Sequence, residues 1–244
     1  MLGASDPVGR TLHFERTNRD GSEPEQIYFH RAAPDRMEVY KMVRRCTRAA
    51  LVSAVIDPKT GAASSLEAAQ LRPDAQRAPY ATLADEARGI VVRLEVDGAP
   101  REFVTPIATR PWHLYDYDLA TLSAAFEVRK GSRKPMRFGM AVVWPKEDRF
   151  VEWMGDASAK FIRAETHLGR KTLRFEVSGT AFGAASGGPL WVEAKNGHLV
   201  DVQWGRPNHD NYIDFRLRLI GEEPAGDAEW TALLRRHFAG CPAK

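Results

Sequence analysis

The stretch from 171 to 219 restricts the fold more than any other part of the chain. Three segments there alternate apolar and polar residues: Lys171-Thr-Leu-Arg-Phe-Glu-Val-Ser178, Leu190-Trp-Val-Glu-Ala194 and His198-Leu-Val-Asp-Val-Gln-Trp204. Asp214-Phe-Arg-Leu-Arg-Leu219 adds a fourth. Successive side chains of a strand point to opposite faces, so Leu173, Phe175 and Val177 share one face while Arg174 and Glu176 share the other. Phe215, Leu217 and Leu219 separate from Asp214, Arg216 and Arg218 in the same way. One dry face and one wet face is the pattern of an antiparallel sheet. Asn196-Gly197, between the second and third segments, is the strongest hairpin signal in the chain, because both residue types accept positive φ.

The same rhythm runs through the rest of the sequence. Residues 11–17, 26–30, 37–43, 49–56, 89–96 and 101–105 read as strands, with turns at Asp20-Gly21, Pro34-Asp35, Asp57-Pro-Lys-Thr-Gly61 and Asp97-Gly98. Residues 64–71 read as a further strand or an irregular edge, and 136–144, 150–154 and 159–167 as strands. Residues 73–89 break the pattern, and the spacing of Tyr80, Leu83 and Ala87 suggests a short helix over 80–87. In the central connection, 106–135, Asp118 is placed to cap a short helix through Phe126, with Leu119, Leu122 and Phe126 on one face. Asp227 is placed to cap a C-terminal packing helix over 227–239, whose apolar stripe is Trp230, Leu233, Leu234 and Phe238. The fold expected is mainly β: one domain over 1–244, built as a large curled antiparallel sheet or open barrel with a short connecting helix and a C-terminal helix. Two smaller domains are the alternative that a 244-residue chain allows.

Composition limits the partners. A content of 43% hydrophobic and 27% charged residues suits an ordinary globular chain, and a net charge of +3 is too small to imply a nucleic-acid surface. The basic clusters Arg44-Arg45 with Arg48, and Arg129-Lys130 with Arg133-Lys134, have no interleaved aromatics. Specific nucleic-acid binding is not expected. No apolar run reaches the length of a membrane-spanning helix. The start, Met1 to Gly9, lacks a basic region followed by an apolar one, so it does not read as a signal peptide, and a cytoplasmic location stays open. Cys46 and Cys241 leave two readings: a disulfide tying the C-terminal segment to the early sheet, or two unrelated thiols. A bridge needs Cα atoms within about 7 Å and an oxidising compartment.

Candidate chemistry lies in three places. In Arg110-Pro-Trp-His-Leu-Tyr-Asp-Tyr-Asp118, Asp116 and Asp118 are candidate acid–base carboxylates, with His113 as proton carrier. Trp112, Tyr115 and Tyr117 either line a pocket for an apolar or carbohydrate ligand or pack the helix on the sheet. In Arg206-Pro-Asn-His-Asp-Asn-Tyr212, His209 and Asp210 are placed to reach a ligand, with Tyr212 beside them. A metal site would need His167, Glu165 or His113 in addition, and no HxxxH or HExxH spacing is present, so neither metal nor cofactor is expected. The glycine-rich 179–188 stretch lacks a P-loop ending and reads as a tight crossing, a bulge or a rim over a pocket. Trp191 and Trp204 fall in strands and are candidates to line a concave face.

Leu190-Trp-Val-Glu-Ala194, Asn196-Gly-His-Leu-Val200 and the long-stranded meander resemble uncharacterised bacterial cell-envelope β proteins, whose architecture is similar to the half-rolled sheets of lipoprotein-carrier families. The resemblance implies a periplasmic or envelope protein whose curled sheet holds an acyl chain or another apolar ligand. Two functional classes therefore stand side by side. One is a non-enzymatic binding or carrier protein for a lipid or other apolar ligand. The other is an enzyme acting on a hydrophobic or glycan substrate through His/Asp acid–base chemistry. A structural protein without a ligand is the third.

Overall fold

The structure is a computed structural model that describes residues 7–242. Residues 1–6, part of the segment read above for a leader, lie outside the described residues. Fifteen strands form one sheet. β1 (Thr11–Thr17), β2 (Glu25–Ala33), β3 (Arg36–Met42), β4 (Ala50–Ile56), β5 (Ala63–Leu71), β6 (Arg77–Glu86), β7 (Gly89–Val96) and β8 (Ala99–Thr105) run outward as a meander to one edge. The chain then crosses to the other edge, where β9 (Trp112–Leu114) lies beside β10 (Met136–Val143). β11 (Val151–His167), β12 (Arg170–Ser178), β13 (Gly188–Glu193), β14 (Leu199–Trp204) and β15 (Phe215–Glu223) return inward until β15 pairs with β1. The sheet is mixed rather than purely antiparallel, because β9 and β10 pair in parallel. The connection between those two carries α1 (Ala120–Val128), the crossover that a parallel pair requires.

The link 106–111 dictates the curvature. Fifteen strands at the usual spacing would put the edges of a flat sheet roughly 65 Å apart. The chain from Thr105 to Trp112 reaches at most about 25 Å. The sheet therefore rolls until its edges approach each other. It does not close, since β8 and β9 are edges with no pairing between them. Side chains stitch the seam instead: Thr105 Oγ1 donates to Val151 O at 2.7 Å, and Arg110 pairs with Asp85 at 2.8 Å.

A rolled sheet leaves an interior that must be filled. α1 fills one end of it. Every residue from Ala120 to Glu127 is buried, as in a helix surrounded by protein. Its one charged interior residue, Glu127, pairs with buried Arg31 of β2 at 2.6 Å and accepts the Ser123 hydroxyl at 3.1 Å. Two hairpin tips press against the helix backbone. A Cβ at Gly61, in the β4–β5 turn, would stand 2.3 Å from Ala125 N; one at Gly197, in the β13–β14 turn, would stand 2.3 Å from Phe126 O. Both glycines also have positive φ, 74° and 82°. Gly197 therefore serves the turn and the helix contact together.

The outer face carries α2 (Asp227–Arg236). Trp230, Leu233 and Leu234 pack on Tyr28, Tyr40 and Leu51. The Trp230 ring stacks on His30 at 4.6 Å and its indole N–H donates to Glu38 at 2.7 Å. A disulfide between Cys46 and Cys241, with Cα atoms 5.6 Å apart, fastens the segment after α2 to the β3–β4 turn.

Three local expectations are corrected. Residues 80–87 are not helical: 80–86 lie in β6, hydrogen-bonded to β5 and β7 on both sides, and Ala87 is in the turn that follows; Ala81 and Leu83 are buried, Thr82 is exposed and Tyr80 stands at a bulge between Pro79 and Ala81, so ladder pairing overrides a short helical spacing. Asp118 does not cap α1. It is left-handed (φ 49°), Leu119 occupies the N-cap position, and the Asp118 carboxylate is engaged elsewhere. Asp227 lies in the first turn of α2, with Gly226 at the N-cap, and its carboxylate stands 3.5 Å from His30 Nε2.

The backbone contacts of Gly197 set a measurable difference. Gly197→Ala should lower unfolding free energy by on the order of 3 kcal/mol, from a left-handed alanine plus displacement of α1. Gly98→Ala, also left-handed but with nothing within 4 Å, should cost about 1 kcal/mol. Urea denaturation of both variants checks this; equal losses would show that the helix contact does not matter.

Candidate functional site

α1 leaves the other end of the roll incompletely filled. A cavity of about 180 Å³ remains there. Val52, Leu66 and Leu83 from β4, β5 and β6 form one wall, and Leu114, Val143 and Phe150 the other. Its polar corner is made by Lys41, Asp116 and His209, with Tyr117 and Tyr80 beside them. Tyr80, 48% exposed, stands at the opening.

The corner is assembled from three chain segments. In β3 the alternation that turns Met37 and Val39 into the core carries Lys41 inward as well. Lys41 Nζ stands 2.8 Å from Asp118 Oδ2, donates to the Asp116 carbonyl at 3.0 Å, and lies 3.4 Å from His209 Nε2. The ammonium thus stands among three polar neighbours, one of them a carboxylate. Burial disfavours the Lys41 charge, but Asp118, Glu25 and Asp116 outweigh it, and the ammonium is held above its ordinary pKa.

The second segment is the tight turn 115–118. Asp118 is fully buried, and Asp118 and Leu119 are consecutive left-handed residues. The third is the β14–β15 loop. Asn208 donates to Tyr115 O at 3.3 Å and to Asp118 Oδ1 at 3.4 Å, while its own Oδ1 accepts from Arg16. Arg16 is fully buried, in register with Leu12 and Phe14, and its guanidinium lies over the Tyr212 ring. The Tyr115 hydroxyl donates to Arg206 O at 2.5 Å. Loop and turn are thus clamped to each other and to β1 and β3.

Asp116 is held differently from Asp118. One carboxylate oxygen accepts the Val143 N–H at 3.2 Å, and the side chain is partly open to the cavity. Burial pushes its pKa up to about 6, against the pull of Lys41 and the Val143 hydrogen bond. His209 is pushed down to about 4, by burial first and by Lys41 next. At neutral pH the corner therefore holds an ionised Asp116 and a neutral His209.

The structure brings only some of the sequence candidates together. His209, Asp116 and Tyr117 share the cavity, with the Tyr117 hydroxyl donating to Met37 O at 3.2 Å. His113 lies in the core with Nδ1 3.0 Å from Thr121 Oγ1, is pushed down to about 3 by burial, and does not line the cavity. Asp210 is exposed and does not line it. Trp112, Tyr115 and Trp204 are core residues; Tyr115 packs between Trp204 and Phe215 at 5.6 and 5.0 Å. Tyr212 is the platform under Arg16. Trp191 lies on the outer face, because its neighbours Leu190 and Val192 point inward; it stacks on His167 at 4.0 Å and donates to Glu165 at 2.6 Å. The 179–188 stretch does not rim the cavity. It makes tight crossings, with Gly187 against Val177 O and Gly188 against Gln203 O, beside an open groove.

Sequence reasoning missed Lys41 and Arg16. A usable signal was present: each is a charged residue in phase with inward-pointing apolar neighbours. Among the described residues, no group of three or more His, Cys, Asp or Glu side chains converges as a metal site. Comparison with protein-family models and with curated proteins gave no match to this chain.

Lys41→Met should destabilise the fold by about 3–5 kcal/mol, because it leaves Asp118 buried without its counter-charge. Adding Asp118→Asn to that background should restore part of the loss; guanidinium denaturation of the three proteins measures it, and additive losses would exclude the coupling.

Asp116 carries a distinct pH signature. Its folded pKa, about 6, lies above its ordinary 3.8, so the stability it contributes is full below about pH 4 and is lost as pH rises through 6. Asp116→Asn removes that loss. The melting temperature of the variant relative to wild type should therefore climb between pH 4 and 7. Water reaching the carboxylate from the cavity reduces the effect to on the order of 1–2 kcal/mol. A difference independent of pH would contradict the assignment.

Proposed function

We propose that the protein is a non-enzymatic binding or carrier protein for a small apolar or amphipathic molecule, held in the cavity at the open end of the roll. The observation that carries this reading is the cavity itself: apolar walls, aromatic edges and one polar corner, the general form of a small-molecule site. Its volume, about 180 Å³, is below that of drug-sized sites but close to the roughly 150 Å³ that accommodates a benzene ring. A ring or a short alkyl segment suits it better than a whole long acyl chain, since α1 fills the rest of the interior. The resemblance to half-rolled lipoprotein-carrier sheets points to the same class of ligand. The Cys46–Cys241 disulfide favours an oxidising compartment, which supports a periplasmic or envelope location.

A second reading keeps the acid–base enzyme, because Asp116 and His209 share the cavity and a carboxyl group near pKa 6 suits proton transfer near neutral pH. His209 serves it less well, being neutral with Nε2 turned to Lys41.

Native mass spectrometry after gentle purification, and after incubation with a mixture of lipids and short-chain alcohols, tests the binding reading. A retained adduct of low mass is expected, weakened in Ala68→Leu, which narrows the cavity at a small residue of β5 that lines it. Recovery of ligand-free protein alone, with no uptake from the mixture, would reject it; conversion of an added compound would favour the enzyme.

A further inference from the structure

We infer that the cavity takes a protonated amine bearing a ring-sized or short-chain apolar group, with its ammonium paired to the Asp116 carboxylate; this rests on the binding reading above. Charge at this end of the roll is unbalanced. The buried cations are Arg16 from β1 and Lys41 from β3. Against them stand three carboxylates: Glu25 from β2, and Asp116 and Asp118 from the turn. His209 is neutral, the nearby Arg19–Asp214 pair stands at 2.8 Å, and Arg206 and Arg149 share Glu152 at 3.7 and 3.4 Å, with Asp148 3.9 Å from Arg149. The three carboxyl groups outnumber the two cations, and burial raises the pKa of Glu25 and of Asp116, so the mismatch is relieved either by a proton or by an incoming cation.

Position identifies which carboxylate an occupant would meet. Asp118 has Lys41 at 2.8 Å and Asn208 beside it, and Glu25 does not line the cavity. Asp116 has one backbone N–H and opens to the cavity. Anionic ligands would have to compete for Lys41, the cation lining the cavity, with Asp118 at 2.8 Å and the Asp116 carbonyl at 3.0 Å. Neutral ligands would leave the mismatch to a proton. An ammonium relieves it, and Tyr80, Tyr117 and Phe150 supply aromatic edges and faces that also favour a cation.

The groups facing Asp116 set the pH dependence. They are Lys41 from β3, Asp118 in its own turn and Tyr80 from β6, with His209 across the corner. Lys41 stays charged and Tyr80 stays neutral across the range from pH 5 to 7.5, since both are held above their ordinary pKa values. Protons therefore compete with the amine chiefly at Asp116, and amine affinity should rise with pH through about 6.

Calorimetric titration of the full chain with benzylamine, benzyl alcohol and benzoate at about pH 7.5 and about pH 5 tests the inference. Benzylamine should bind roughly tenfold or more tightly than benzyl alcohol at the higher pH, with the advantage shrinking toward parity at the lower. In Asp116→Asn the preference for the amine should vanish while benzyl alcohol still binds. Benzyl alcohol or benzoate binding as tightly as benzylamine at pH 7.5 would overturn the cation assignment and leave the binding reading standing. Failure of all three to bind would overturn both. Should Asp116→Asn not fold, the wild-type pH comparison decides alone: an amine preference unchanged between the two pH values would place the ammonium away from Asp116 and overturn the inference.

Discussion

The ion pair between Lys41 and Asp118 is the contact on which the open end of this molecule depends. Asp118 and Leu119 sit one after the other in left-handed conformations, each costing about 1–2 kcal/mol for a residue with a side chain. Such a turn persists only when its surroundings hold it. Lys41 at 2.8 Å and the amide of Asn208 at 3.4 Å supply that restraint, and Arg16 in turn fixes Asn208. The turn then aims Asp116 into the cavity and sends the chain into α1. Burying such a network is costly where its members are not paired, and Asp116, which accepts one backbone N–H and lines the cavity, is the carboxylate open to an occupant.

The rolled sheet explains why a cavity exists where it does. A fifteen-stranded sheet whose edges are joined by a short link must curl, and its interior must be packed. α1 packs one end tightly, helped by two glycine turns that allow backbone to touch backbone. At the other end a turn and a loop replace the helix. Their polar groups need partners, and those partners are charged side chains rather than close-packed apolar ones. Space and charge therefore occur together there, which is the combination a small amphipathic ligand requires.

Much of the fold was legible in the alternation of residues. The four segments between 171 and 219 are strands, with Leu173, Phe175, Val177, Phe215, Leu217 and Leu219 buried as their alternation requires, and the Asn196-Gly197 turn is a hairpin tip. Helix prediction was less secure where it relied on short spacing: 80–87 matched a helix over three positions, yet both of its neighbours in space were strands. The capping role given to Asp118 failed for a related reason. An aspartate before an apolar run fits a cap, but the nearest unmatched charge belongs to Lys41, seventy-seven positions earlier in the chain. The aromatic residues were the weakest guides to the site. Trp112, Tyr115 and Trp204 went to the core and Trp191 to the outer face, because large rings are most often placed by the burial they bring.

By itself the sequence determined the secondary structure of most strands, the presence of one connecting and one C-terminal helix, and the facing of the apolar residues in the regular strands such as 171–178 and 215–219, since these follow from a two-residue period and local turn chemistry. Tertiary structure alone decided that the sheet rolls without closing, that Cys46 meets Cys241, and that Arg16, Glu25, Lys41, Asp116, Asp118 and His209 gather at one end of the roll. Those outcomes depend on distances between segments far apart in the chain, and neither the energy of a buried charge nor the shape of a cavity exists until those segments have packed.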